Sequence, residues 1–498
     1  MFNIDFNKIP SLLSFDLNDP LLFSSSLFLF LFFFLLIFYR LFANSKNASI
    51  LLLITFSLYF YYKVSGLFFL LLIFNAIANF YFGKWMWNAA GQVQKRGILI
   101  LSLVFNLGVL GYFKYMNFFL EFASNIHGGS FDSIDIILPI GISFYTFKSL
   151  SYIIDIYLET IRPTNSFRDF SLFVFFFPNI LAGPIDRASK FLPQIERDYH
   201  ITRNDIAMGL MLIMMGLVKK IMIADYIGLN FIDRVFEVPL RFTGVENLFA
   251  VYGYTLQLYC DFSGYTDIAI GISLLLGFKL MENFNYPFKA KSISNFWRRW
   301  HISLSTWLLD YVFRPLQISF RYLGIVGNVA SLIITFVLIG FWHGGSWAFI
   351  IWGLLHGVYM SVGLITSRPK LNIYKKLKLT NTRLLGFGQI FLTFNLVAFS
   401  FLFFRADSFK TATNILHQIL FFFKPEVFLQ FAVGYTPTFF LLVFGFLFHF
   451  LPSSLFDRSV IILEKTPFVI QALLLSIVIW IVLQVQYADL QPFIYFQF

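Results

Sequence analysis

The sequence predicts an all-α polytopic membrane protein, and three observations carry that prediction. Of its 498 residues, 58% are hydrophobic and only 13% charged, where soluble domains carry roughly a quarter charged residues. Apolar runs of spanning or near-spanning length recur along the chain. The formal net charge is +11, which in such a chain reads as an excess of loop Lys and Arg before it suggests nucleic-acid binding. The expected architecture is one integral-membrane domain over 1–498, a bundle of roughly 10–13 helices with re-entrant elements.

Residues 1–20 are mixed and polar, with Pro10 and Pro20, and suit an interfacial segment. The first apolar run, 21–38, is longer than a signal core and lacks a small-residue cleavage pattern, so it is expected to be retained as a span. Further runs lie at 48–62, 66–82 and 98–113, with Trp85 and Trp87 as interfacial anchors in a basic connector. A polar loop at 121–135 precedes the run 136–157, whose Pro139 and Gly141 predict an irregular start. The segment 170–181 is too short to span and leads into Ala-Gly-Pro. Such backbone at membrane depth is tolerated only where protein covers it.

Runs at 206–231, 247–260 and 264–281 follow, the first carrying Lys219 and Lys220, which suggests a partly interfacial position. After the central stretch come runs at 326–341 and 346–366, then a loop at 367–383 with Arg368, Lys370, Lys375, Lys376, Lys378 and Arg383 and no acid. The positive-inside rule makes that loop cytoplasmic. Final spans are expected near 387–404, 436–451 and 467–486, with 411–423 a shorter, re-entrant candidate.

The central stretch, 283–314, gathers Lys289, Lys291, Arg298 and Arg299 without an acid among them, together with Trp297, Trp300, Trp307 and His301. Charge near a lipid core must face water, a headgroup or an anionic ligand. Two apolar runs separate this stretch from the loop 367–383, so both basic regions belong on the cytoplasmic side. The stretch is either an interfacial anchor or a polar site opening into the membrane.

Chemistry concentrates at two histidines. His343, in FWHGGSW (341–347), interrupts an apolar stretch, and an intramembrane ionisable residue is a functional candidate because burying it unpartnered is costly. Neutral imidazole at His343 and His301 can take a proton from a hydroxyl, as a general base does in acyl transfer. The basic cluster suits the phosphates of a donor such as coenzyme A. Asp261, Asp267 and Asp310 read better as helix caps or as partners of Arg298, Arg299 and Arg314 than as an acid–base pair. His356 reads as a satisfied core histidine, His417 and His449 as isolated, and His127 with Asp132 lacks supporting context. The lone Cys260 excludes an intramolecular disulfide and a multi-cysteine metal site, and no metal-ligand motif, phosphate loop or dinucleotide fingerprint is present.

The motifs DFSGYTDIAIG (261–271), ENFNYPF (282–288), ISNFWRRWHISLSTWLLDYVF (293–313) and FWHGGSWAFIIWGLLHG (341–357) together resemble the membrane-bound O-acyltransferases (MBOAT), closest to the alginate and peptidoglycan O-acetyltransferase branch. LPIGISFYTFKSLSYIIDIY (138–157), FFPNILAGPIDR (176–187) and the closing FIYFQF (493–498) resemble the same branch. The resemblance implies a funnel from each face meeting near the midplane, with His343 and His301 as the catalytic histidines. It implies acetyl-CoA as donor, docked at Lys289, Lys291, Arg298, Arg299 and Trp300, and no metal. Asn283, Asn285, Asp310 and Trp342, which stand inside these motifs, are supporting candidates.

The implied product is an O-acetylated extracytoplasmic glycan, made at a bacterial inner membrane with a separate SGNH-like transferase completing delivery. In related D-alanyl systems a small separate partner ends in a motif like FIYFQF, so Tyr495 here is a candidate acyl carrier. Its alternative role is packing of an aromatic tail. A D-alanyl or other acyltransferase of the family is the nearer alternative function. A polysaccharide or lipid-linked transporter is the more distant one, for which paired broken helices in inverted repeats would be needed and are not found.

Overall fold

The computed structural model describes residues 12–16, 20–128, 131–197, 201–380, 382–485 and 494. Among these residues the secondary structure is helical, without a β-strand. Seven helical stretches among the described residues are long and apolar enough to cross a membrane, or eight if the pair Val427–Gly434 and Thr436–Phe450, bent by 95°, is one span. The all-α polytopic class read from composition is the class observed. Chain contacts divide the described residues into two compact units, those up to 213 with 265–281 in one, and 214–264 with 282–485 in the other.

In the first unit, the helix Ser26–Leu41 has only 16 residues, because residues 21–25 run in before it and Ser25 caps it by accepting the Phe28 amide hydrogen. It is thus shorter than the apolar run that announced it. Lys46–Trp87 is a 42-residue helical stretch, far longer than one crossing needs, and it divides at Gly66 (φ 57°) into Lys46–Ser65 and Phe69–Trp87, as the two sequence runs require. The helix predicted over 98–113 continues instead through a π-helical turn into Met116–His127, which ends at Gly128 in the left-handed conformation. The predicted polar loop is correspondingly shorter.

Polar side chains tie these helices where no water can reach. Asn75 donates to Asn106 Oδ1 at 3.0 Å, Asn106 donates to Asn79 Oδ1 at 2.8 Å, and the Ser149 hydroxyl donates to Asn75 Oδ1 at 2.9 Å. Within an apolar bundle such bonds join helices and satisfy groups whose burial is otherwise unfavourable. The helix Ile142–Tyr157 starts late, after Gly141 at φ 81°, where a Cβ would stand 2.6 Å from the Ile180 carbonyl oxygen. Its neighbour is the predicted re-entrant segment, and residues 170–188 are all buried, so its broken backbone is covered by protein as required. There Lys148 donates to Asn179 Oδ1 at 2.8 Å and Asn179 donates to Asp186 at 3.0 Å.

The second unit holds the central stretch and the spans around it. The lysines expected at the interface are buried: Lys220 bonds Asp225 at 2.8 Å and Asp261 at 2.6 Å, from a π-helical segment Val218–Asp225. Lys219 lies over the Tyr259 ring at 5.5 Å. These contacts, rather than lipid headgroups, accommodate the charges. Ile325–His343 and Trp347–Lys376 form a helical hairpin whose close approach is set by glycines. A Cβ on Gly340 would stand 2.2 Å from the Phe349 carbonyl oxygen, and one on Gly353 equally close to that of Phe336. Arg383–Arg405 and Phe468–Val485 fall where spans were expected, and the short segment after Ser408 is the helix Phe409–Phe421.

Candidate active site

The central stretch folds as short pieces rather than one helix. Ser292 caps Ile293–Trp297 by accepting from the Asn295 amide, and a second short helix occupies Ile302–Leu308. Between them the chain turns, and His301 adopts φ 43° and ψ 55°, left-handed for a non-glycine residue. Backbone bonds from Ile302 to the Asn283 carbonyl and from Asn285 to the Arg299 carbonyl, each 2.9 Å, hold the turn against the segment before it. Such a conformation persists only where surrounding contacts fix it.

Asn283 is one of those contacts. Its Oδ1 accepts from the Ser303 backbone N–H at 3.3 Å and from the Ser303 hydroxyl at 2.9 Å. A backbone N–H can only donate, so the atom facing it is the amide oxygen and not the nitrogen. The same oxygen lies 3.0 Å from His301 Nδ1, which therefore carries the hydrogen. His301 Nε2 is then the acceptor nitrogen of a neutral ring. The residue is 1% exposed, and burial pushes its pKa down to about 3. At neutral pH it is an uncharged base with a fixed tautomer.

His343 ends the first helix of the hairpin, where Gly344 turns to an extended conformation. It is 3% exposed, and Trp342, Trp352 and Phe404 surround its ring at centroid distances of 4.8, 5.0 and 5.1 Å. Trp342 also lies 6.1 Å from the His301 ring, so one indole touches both histidines. The structure thus gathers in one aromatic cluster two residues that the sequence separates by about forty positions.

The basic residues do not act as one patch. Lys289 donates to the Leu451 carbonyl at 2.6 Å and sits 4.0 Å from the Tyr286 ring centre. Burial, and next the Arg299 charge, hold its pKa below the ordinary lysine range. Arg299 bonds Asn295 Oδ1 at 3.3 Å and the Asn285 carbonyl at 3.0 Å, which ties the loop. Trp300 is buried, its ring stacked on Phe296 at 5.5 Å. Arg298 is exposed, and Lys291 lines a cavity of about 920 Å³ whose other walls come from Ile325–His343, Trp347–Lys376 and Arg383–Arg405. Asp310 pairs with Arg314 at 2.8 Å, as expected, whereas Asp261 is neutralised by Lys220 instead of by an arginine of the central stretch.

His356 is the satisfied core histidine that its apolar helix suggested. The Trp297 indole N–H donates to its Nδ1 at 3.2 Å, and its Nε2 lies 2.8 Å from the Ser400 hydroxyl. His449 is not isolated: its Nε2 accepts from the Phe288 amide at 3.1 Å, and its ring packs on Tyr259 and Tyr286. Trp352, which walls His343, was not singled out from the sequence. Its signal lay in the buried face Phe349, Trp352, Gly353, His356, Gly357, at helical spacing. Tyr495 lies outside the described residues.

Comparison with known proteins bears on this arrangement. The model of the MBOAT, membrane-bound O-acyltransferase family, matches residues 158–369, which include both histidines. A peptidoglycan O-acetyltransferase of Helicobacter pylori is 35% identical over 427 residues, 80% of this chain and 79% of that protein. The chain belongs to the membrane-bound O-acyltransferase family. A probable alginate O-acetylase, AlgI, of Pseudomonas aeruginosa is 38% identical over 422 residues, 81% of this chain and 75% of the relative. A teichoic acid D-alanyltransferase of Bacillus subtilis is 34% identical over 283 residues, 54% of this chain and 69% of the other. The protein is therefore a multi-pass membrane O-acyltransferase, as the motifs around His301 and His343 indicated.

Proposed function

We propose that this O-acyltransferase moves acetyl groups from cytoplasmic acetyl-CoA to an extracytoplasmic polysaccharide, alginate-like or peptidoglycan, at a bacterial inner membrane. The observation that carries the mechanism is the aromatic cluster in which the Trp342 ring packs on both His301 and His343. The donor's phosphates meet Lys291 and Arg298, with Lys289 and Arg299 holding the adjoining loop. His343 takes the proton of an attacking hydroxyl as its oxygen bonds the acetyl carbonyl carbon, while the acceptor nitrogen of His301 helps to hold the reacting groups. The C–S bond breaks, and the proton passes from the imidazolium to the departing thiolate.

The hydroxyl is that of Tyr495, whose acetyl ester then hands its acyl group to an SGNH-like partner transferase and so to the glycan. A phenol serves as nucleophile once deprotonated and as a fair leaving group afterwards. The acetyl reading is favoured over D-alanyl transfer by coverage: the O-acetyltransferase relatives align over about 80% of the chain and the D-alanyltransferase over 54%. Incubating proteoliposomes with radiolabelled acetyl-CoA tests the scheme. Label is expected on the intact protein at Tyr495 and is lost in Tyr495→Phe. An unlabelled tyrosine in enzyme that still acetylates glycan would establish direct transfer instead.

A further inference from the structure

The cavity beside the central stretch has a chemistry of its own. Lys291 and Lys370 both line it, no Asp or Glu does, and among the described residues neither lysine joins an ion pair. Two cations facing one acid-free space favour an anion. The helix Trp347–Lys376 contributes a stripe from Tyr359 to Tyr374, which at 1.5 Å per residue is roughly 22 Å long. Polarity is graded along it. Ser367, Lys370 and Tyr374 lie toward the basic loop, while Met360, together with Leu332 and Leu396 from the neighbouring helices, makes the opposite part apolar. Its volume, about 920 Å³, is that of a site for a sizeable organic ligand.

We propose that this cavity binds a phosphate-bearing amphiphile, its phosphate held by Lys291 and Lys370 and its chain lying along Leu332, Met360 and Leu396. Two sources offer that chemistry: an anionic phospholipid of the bilayer, and the donor thioester with its phosphorylated arm. The donor source rests on the function proposed above, and the lipid source does not. The far wall connects to the aromatic cluster around His343 along one face of the helix Trp347–Lys376. Tyr359, which lines the cavity, packs on His356 at 5.8 Å, His356 on Trp352 at 5.1 Å, and Trp352 on His343 at 5.0 Å. An occupant would therefore bear on the packing around His343 without touching it.

The test uses the purified full-length protein with two probes, phosphatidylglycerol followed by native mass spectrometry and coenzyme A followed by calorimetry. Lys291→Glu and Lys370→Glu should each weaken one probe by at least tenfold, and Lys370→Arg should retain it. Gly363→Leu is a second probe of the site, because Gly363 lines the cavity and open space stands where its Cβ would be. It should displace the same ligand. Loss confined to phosphatidylglycerol identifies a bilayer lipid, and loss confined to coenzyme A identifies the donor. If coenzyme A fails to bind even the unaltered protein, the donor function fails, and the cavity is still judged on the lipid. Binding of both probes within twofold of the unaltered protein in all three disruptive variants overturns the proposal. So does an equal loss in Lys410→Glu, an exposed change outside the cavity.

Discussion

His301 Nδ1 donates to Asn283 Oδ1 at 3.0 Å, and the same oxygen accepts the Ser303 backbone N–H, so the tautomer of a buried histidine is set by an asparagine eighteen residues earlier. Removing the acceptor frees the ring to turn or to move its hydrogen to Nε2. Asn283→Leu should lower kcat by roughly 10- to 100-fold, the equivalent of losing the one hydrogen bond that keeps the acceptor nitrogen of His301 in place. The KM for the donor should stay nearly unchanged. Asn283→Asp, which still accepts, should recover part of the rate. Steady-state transfer assays on the two variants decide it, and equal kcat in Asn283→Leu and the parent enzyme would remove Asn283 from the mechanism.

His343→Ala is expected to abolish acyl transfer while the protein inserts and binds donor normally. A general base typically contributes about 10² to 10⁴ in rate. The ring is walled by Trp342, Trp352 and Phe404, so its loss also leaves a space among large aromatic groups. A modest fall in Tm should accompany the loss of turnover. Transfer at the parental rate in a well-folded His343→Ala preparation would move the base elsewhere.

Burial of neutral His301 makes stability depend on pH. Its pKa is about 3 when folded and about 6.5 when the chain is unfolded. Between those values the unfolded chain binds a proton that the native state excludes. The stabilisation is thus complete above 6.5 and is lost progressively as pH falls toward 3. From pH 7.5 to 5 the loss is about 2 kcal/mol. Thermal unfolding at pH 7.5 and 5.0 should show a smaller drop for His301→Asn than for the parent. Parallel drops in both would contradict the buried neutral state.

The hairpin that carries His343 depends on glycine at its crossing. A Cβ at Gly353 would stand 2.2 Å from the Phe336 carbonyl oxygen, which is backbone and cannot swing aside. Gly353→Val should separate the helices, cost on the order of 1–3 kcal/mol or more, and displace His343 from Trp352. A lowered Tm with reduced kcat is expected. Gly363→Ala, nearly three turns on and facing open space, should not lower Tm.

These residues also show what a sequence can and cannot disclose. The spans were legible because an apolar run is a local property, and His356 because its neighbours at helical spacing are apolar. His301 and His343 were legible through motifs. The partners were not. Lys220 reads as interfacial until Asp261, 41 residues away, is found against it, and His449 reads as isolated until the Phe288 amide, 161 residues away, donates to it. Local charge spacing likewise suggested that four basic residues shared one role. Folding assigns Arg299 to its own loop and places Lys291 in the lining of a cavity that Lys370, a lysine from another basic segment, also lines.

The buried charges of the second unit allow a last prediction. Lys220 bonds Asp225 and Asp261 at 2.8 and 2.6 Å, one cation between two carboxylates. Its segment is π-helical, a distortion that turns side chains to positions a regular helix does not reach. Lys220→Met keeps the stem's volume and removes the charge, so Asp261, 1% exposed, and the partly exposed Asp225 lose the cation they share. Breaking a buried pair in this way costs about 3–5 kcal/mol. The variant should lose most of its monodisperse fraction on size-exclusion chromatography. Adding Asp261→Asn to Lys220→Met removes one of the stranded charges and should restore part of that fraction. Lys220→Met behaving like the parent would show that the carboxylates do not depend on this lysine for compensation.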